Sequence, residues 1–109
     1  MLELTQDRKN LIQSYGILFC TDAFDHIVGI SGAIEVITNR PATDYLGRDI
    51  RDFLANHFNS QSKKILDTVR EIKHQEIANK VLELYDGENI YILHLSQVNN
   101  HIHWEWELD

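Results

Sequence analysis

A chain of 109 residues, 43% hydrophobic and 25% charged, has the size and composition of a single folded domain, too short for two cores and unlike a disordered segment. A net charge of −7 without any dense cluster of Lys and Arg speaks against nucleic acid or an anionic membrane surface as partner. No apolar run approaches the ~20 residues of a membrane span, the opening ten residues are polar, and Cys20 has no second cysteine to pair with, so a cytoplasmic domain is expected.

After an N-terminal arm of residues 1–12, residues 15–21 read as a strand in which Ile17 and Phe19 alternate with Leu18 and Cys20. Both faces are apolar, which predicts a strand that is central or covered on both sides. The turn Asp22-Ala23-Phe24-Asp25 lets residues 26–31 pair back as a hairpin, with Gly29 marking a bulge or a close backbone approach. Ser31 is placed to cap a short helix carrying Ala33, Ile34 and Ile37 inward and Glu35 and Asn39 outward. Pro41 then opens a second short turn that Gly47 ends, and Asp49 caps a third through Asp52, Phe53 and Leu54.

Residues 60–74 carry the strongest helical pattern: Ser60 or Ser62 at the start, Ile65, Leu66, Val69 and Ile72 on one face, and Lys63, Lys64, Asp67, Arg70, Glu71 and Lys73 on the other. Three strands close the chain, over residues 80–85, 90–97 and 101–108, joined by turns at 86–89 and 98–100. Strands grouped at both ends around a block of helices predict an α+β domain spanning 1–109. Its expected form is a five-stranded antiparallel sheet, with short helices and one longer connector helix on one face.

That order of elements is similar to the PAS fold, and short blocks of sequence sharpen the likeness. In IQSYGILFCTD, Ile12, Gln13 and Gly16 fit the phytochrome IQPHG-then-strand signature, with Ser14 and Tyr15 in place of Pro and His. VGISGAIEVITNRPATDYLGRDIRDFL places Gly47, Asp52 and Leu54 where the phytochrome pattern has them, and IYILHLSQVNNHIHWEWELD resembles the closing hairpin with Glu105, Glu107 and Leu108. The chain thus resembles a PAS domain, most closely the N-terminal PAS domain of phytochrome-like photoreceptors and sensor histidine kinases. The resemblance implies a regulatory module of two-component signal transduction. Such a module would work by contact with a neighbouring GAF-like domain or with a second copy of itself as a homodimer. Bacterial phytochromes carry their bilin-attaching cysteine ahead of the IQPHG block, at about Met1 here, so neither a bilin nor any other cofactor is expected. Ending directly after the last strand, the chain reads as a domain cut from a longer protein.

Four groups of residues invite chemistry. Cys20 could be a reactive thiol, yet its place in an apolar strand predicts a core residue. His101, His103, Glu105 and Glu107 share one face of the last strand with ligand-like spacing, His94 on the neighbouring strand being the residue best placed to join them; a solvated face opposite Ile102, Trp104, Trp106 and Leu108 is the expected reading. His57, in a polar loop, and His74, ending the long helix, resemble haem-ligand candidates but suit helix C-terminal positions better. Trp104 and Trp106 are candidates to line a ligand cavity or a partner surface, with core packing expected for at least one of them; a cavity would be bordered by Cys20, Phe53 and the last strands. No Ser/His/Asp arrangement, Gly-rich phosphate loop or Cys-x-x-Cys is present, so the sequence points to binding rather than catalysis, with catalytic and metal residues expected to be none.

Overall fold

The computed structural model describes residues 16–32, 34–87 and 89–108; the expected N-terminal arm, Met1, the matches at residues 12–15, and Ala33, Glu88 and Asp109 lie outside these. Strand β1 (Ile17–Thr21) alternates as a sheet strand must, with Ile17, Phe19 and Thr21 buried and Leu18 and Cys20 only half-buried on the opposite face. The Asp22 carboxylate then accepts the backbone N–H groups of Phe24 and His26, both at 2.9 Å, which closes the turn into β2 (Ile27–Gly32). Pairing runs Cys20 to Gly29 but Thr21 to Ile27, leaving Val28 as the extra residue of a bulge. A Cβ on Gly29 would sit 3.5 Å from that of Cys20, ordinary van der Waals contact, so of the two expectations at Gly29 the neighbouring bulge holds and the close backbone approach does not.

Ser31 does not cap a helix. It pairs with Leu18 inside β2, because strand pairing continues through Gly32 and the short helix α1 (Ile34–Thr38) begins only afterwards, with Ile34 buried. Pro41 stands just before a 3₁₀ turn, Ala42–Asp44, and Gly47 ends the segment at φ 83°. Its N–H donates to the Ile27 carbonyl at 2.7 Å while the Ile27 N–H donates to Arg48 at 2.8 Å, so this loop borders the outer edge of β2. Asp49 accepts the Arg51 N–H at 2.8 Å and opens α2 (Ile50–His57), a longer helix than the expected turn, which buries Ile50, Phe53 and Leu54.

Helix α3 (Ser62–Lys73) buries Ile65, Val69 and Ile72 as its pattern predicts; Thr68 is buried beside them, and Leu66, expected on the same face, is only half-buried. It starts after a 3₁₀ turn, Asn59–Gln61, and neither Ser60 nor Ser62 serves as its cap; Gln61 holds that position and spends its amide elsewhere. That amide donates to the Tyr85 carbonyl at 2.7 Å and accepts the Tyr85 N–H at 2.8 Å, so one side chain satisfies the backbone of an edge strand as a neighbouring strand would. At the other end of α3, Lys73 pairs with Asp25 and anchors the helix to the β1–β2 turn.

The remaining strands are β3 (Asn79–Asp86), β4 (Asn89–Val98) and β5 (His101–Leu108). All five form one antiparallel sheet in the order β2-β1-β5-β4-β3. Asn99 and Asn100 link β4 to β5 with φ of 51° and 66°, the left-handed pair that a two-residue hairpin turn requires. The helices cover one sheet face, where Phe19, Leu84, Leu93, Leu95, Trp104 and Trp106 meet Ile50, Phe53, Leu54, Phe58 and Ile65. Full burial of each aliphatic side chain among these contributes about 1.5–3 kcal/mol.

Candidate functional site

Two places could carry function, one beneath the helices and one on the opposite sheet face. Beneath the helices, Trp104 and Trp106 stack with centroids 6.2 Å apart, and Trp104 Nε1 donates to Thr21 Oγ1 at 3.0 Å. Phe58 stacks on Trp106 at 5.2 Å and meets Tyr91 edge-on at 5.6 Å, while Phe53 meets Phe19 at 4.9 Å and Trp106 at 5.8 Å. Within this packed cluster Trp106 Nε1, Tyr91 Oη and His57 Nδ1 are buried with no hydrogen-bond partner among the described residues. Leaving a buried polar group unpaired costs about 1–3 kcal/mol, so three around one pair of phenylalanines is a notable departure from ordinary packing.

The charge states there follow from burial. His57 lies with its ring 4.8 Å from Phe53, and burial, reinforced by the Arg40 charge, lowers its pKa. Burial raises the pKa of Tyr91, and the Asp86 carboxylate adds to the effect. Both groups are therefore held neutral. In the unfolded chain His57 titrates near pH ~6.5; below that pH the unfolded state takes up a proton that the folded state resists, so stability falls as pH drops through the window between the two pKa values. His57→Phe is expected to flatten that part of the stability profile, as read by urea unfolding from pH 5 to 8; an unchanged slope would contradict the assignment.

On the opposite face, strand register places Leu18 and Cys20 of β1, His101, His103, Glu105 and Glu107 of β5, Ile90, Ile92, His94 and Ser96 of β4, and Val81, Glu83 and Tyr85 of β3 side by side. Directly across from Ile92 stand Glu107 on one side and Glu83 on the other; His94 stands between Glu105 and Val81. Tyr85 Oη donates to Glu83 Oε1 at 2.6 Å, and His94 Nε2 lies 3.5 Å from Glu107 Oε2, an electrostatic approach too long for a hydrogen bond. Val81 and Tyr85 are 53% and 55% exposed, high for apolar residues in the middle of a strand. Among the described residues no group of three or more His, Cys, Asp or Glu is arranged to hold a metal ion.

No protein-family model matches the sequence, and no curated protein sequence matches it. Solved structures do match. A sensory box sensor histidine kinase from Vibrio cholerae superposes with a TM-score of 0.71 at 11% identity, over 93% of this chain and 86% of that one. A domain of an HTR-like protein from Haloarcula marismortui superposes with a TM-score of 0.68 at 8% identity, over 85% of this chain and 96% of that one. The chain has the PAS fold.

Within the PAS fold the expected site residues divide. Trp104 and Trp106 are both fully buried, core packing being expected for at least one, and His101, His103, Glu105 and Glu107 occupy the face opposite them. Cys20 is not a core residue: it is half-buried on the outer face, directly across from His103, because the described helices pack on the face bearing Phe19. Partial burial still raises its thiol pKa. Cys20 and Phe53 therefore cannot border one cavity. His57 is not in a loop but ends α2, and His74 caps α3, its N–H donating to the Arg70 carbonyl at 3.0 Å. Sequence reasoning missed Tyr91 and Gln61, whose roles depend on residues far away in the chain. A cleft of about 320 Å³ between α3, Arg51 and Asp25 gathers three cations, but Arg51 is paired with Asp49, Arg70 with Asp67 and Lys73 with Asp25. No described helix is long and apolar enough to cross a membrane.

Proposed function

We propose that this chain is a regulatory sensory domain of a signal-transduction protein, acting through contacts of its outer sheet face with a neighbouring domain rather than through catalysis. The observation that carries the reading is the contrast between the two faces. The inner face is filled by the helices, whereas β3, β4 and β5 leave Val81, Tyr85, Ile90 and Ile92 facing outward without a covering element among the described residues. The likeness to a sensory box sensor histidine kinase supports it. The phytochrome-like blocks at Gly16, Gly47, Asp52 and Leu54 favour a place beside a GAF-like domain in the cytoplasm, with Met1 in place of a bilin-attaching cysteine. Ile92→Arg, introduced into the full-length protein, is expected to change its regulated output at least several-fold while shifting the Tm of the isolated domain by only a few degrees. Unchanged output would contradict the reading.

A second reading, a receptor for a small molecule between sheet and helices, is favoured by the unpaired Tyr91 Oη, Trp106 Nε1 and His57 Nδ1. Those atoms offer hydrogen bonds that no described residue makes. Native mass spectrometry of the purified domain distinguishes the two readings, because a retained small molecule lost on Trp106→Phe substitution supports the receptor, and a mass equal to that of the bare chain supports the contact module.

A further inference from the structure

The outer face has a charge pattern that says what should lie on it. Its apolar seam runs along β4 through Ile90 and Ile92 and is widened by Val81 and Tyr85 of β3. Carboxylates border the seam on both sides, Glu105 and Glu107 from β5 and Glu83 from β3. No Lys or Arg occupies an outward-pointing position on any of the described strands, although the chain has ten such residues. The strands are ~4.8 Å apart and a helix with its side chains is ~10 Å wide, so a single helix laid on β4 spans the seam and reaches both acidic borders.

Resting on the contact reading above, we infer that the partner of this face is an amphipathic helix of a neighbouring domain, with an apolar stripe flanked on both sides by Lys or Arg. The stripe packs on Ile90, Ile92, Val81 and Tyr85, and its flanking cations meet Glu83 on one side and Glu105 and Glu107 on the other. Charge complementarity selects this occupant over a second copy. Two such faces brought together would place both sets of Glu83, Glu105 and Glu107 around a shared apolar seam, and like charges so placed oppose association. Nucleic acid and anionic lipid are disfavoured by the same carboxylates. Each carboxylate is also near enough to the seam to be partly desolvated when a helix covers it, so pairing determines specificity as well as encounter rate.

The test uses two synthetic helical peptides of about 20 residues, long enough to hold a helix in water, with the same leucine stripe and either lysine or glutamate flanks. Binding to the domain is followed by fluorescence anisotropy. The lysine peptide is expected to bind at least about tenfold more tightly than the glutamate peptide, and its affinity to weaken with added salt. The triple substitution Glu83→Gln, Glu105→Gln, Glu107→Gln should remove most of that preference, while Glu71→Gln on the solvent side of α3 should leave it unchanged. Equal binding of the two peptides, or a preference that survives the triple substitution, would overturn the assignment. So would self-association of the isolated domain through this face, seen in sedimentation and abolished by Ile92→Arg. If neither peptide binds yet the face is shielded in the full-length protein, the contact reading stands and the cationic helix falls. If the face is unshielded there, the contact reading itself fails.

Discussion

Trp104→Ala is expected to cost about 3–5 kcal/mol of stability, a large part of the ~5–15 kcal/mol available to a domain of this size. The side chain is fully buried, stacks on Trp106 and donates its indole N–H to Thr21 Oγ1, itself fully buried. The conservative pair of substitutions is more informative. Trp104→Phe removes the donor and leaves the Thr21 hydroxyl without its partner, whereas Trp106→Phe removes an N–H that has no described partner to lose. Both leave a comparable void, so Trp104→Phe should be the more destabilising by about 1–3 kcal/mol in urea unfolding. Equal costs would mean that Trp106 Nε1 is in fact satisfied, by water or by a bound molecule, and would strengthen the receptor reading.

Gly32→Ala is expected to be nearly as damaging, by about 2–4 kcal/mol, for a different reason. Gly32 ends β2 at φ 89°, and a Cβ there would lie 2.2 Å from the Gly16 carbonyl oxygen and 3.0 Å from Ile17 Cα. Those are backbone atoms of the paired strand, so no side-chain rotation relieves the overlap. The end of β2 must separate from β1 instead. Gly47→Ala is the control: its φ of 83° also disfavours a side chain, but nothing lies within 4 Å of the added methyl, so only the backbone penalty of about 1 kcal/mol remains. A Gly32→Ala protein as stable as Gly47→Ala would contradict the close pairing of β1 and β2.

Most of the fold was legible because its signals are local. Strict alternation in β5, His-Ile-His-Trp-Glu-Trp-Glu-Leu, separates two faces, and the structure buries Ile102, Trp104, Trp106 and Leu108 and no other residue of that strand. The α3 pattern and the Asn99-Asn100 turn are equally self-contained. What failed was any inference in which both faces look alike. Leu18 and Cys20 are as apolar as Ile17 and Phe19, and nothing local says on which side of β1 the described helices pack, so Cys20 was expected in the core. The same ambiguity in β4, where Ile90 and Ile92 alternate with Tyr91 and Leu93, concealed the outer seam. Ser31 failed as a cap because pairing with Leu18, a non-local event, extends β2 past it. Gln61 and Tyr91 act through Tyr85 and Phe58, far from them in the chain, and no sequence window contains both partners.

The most direct test of the central claim uses a reporter thiol placed in the seam itself, Val81→Cys in a Cys20→Ser background, Val81 being 53% exposed on the outer face beside β4. Its alkylation rate is measured by peptide mapping in the isolated domain and in the full-length protein under the same conditions. Contact through the outer face predicts labelling slowed by about tenfold or more in the full-length protein, with the rate restored by Ile92→Arg. Equal rates in the isolated domain and in the full-length protein would show that the face stays open, and would contradict the claim that this PAS domain works by covering it.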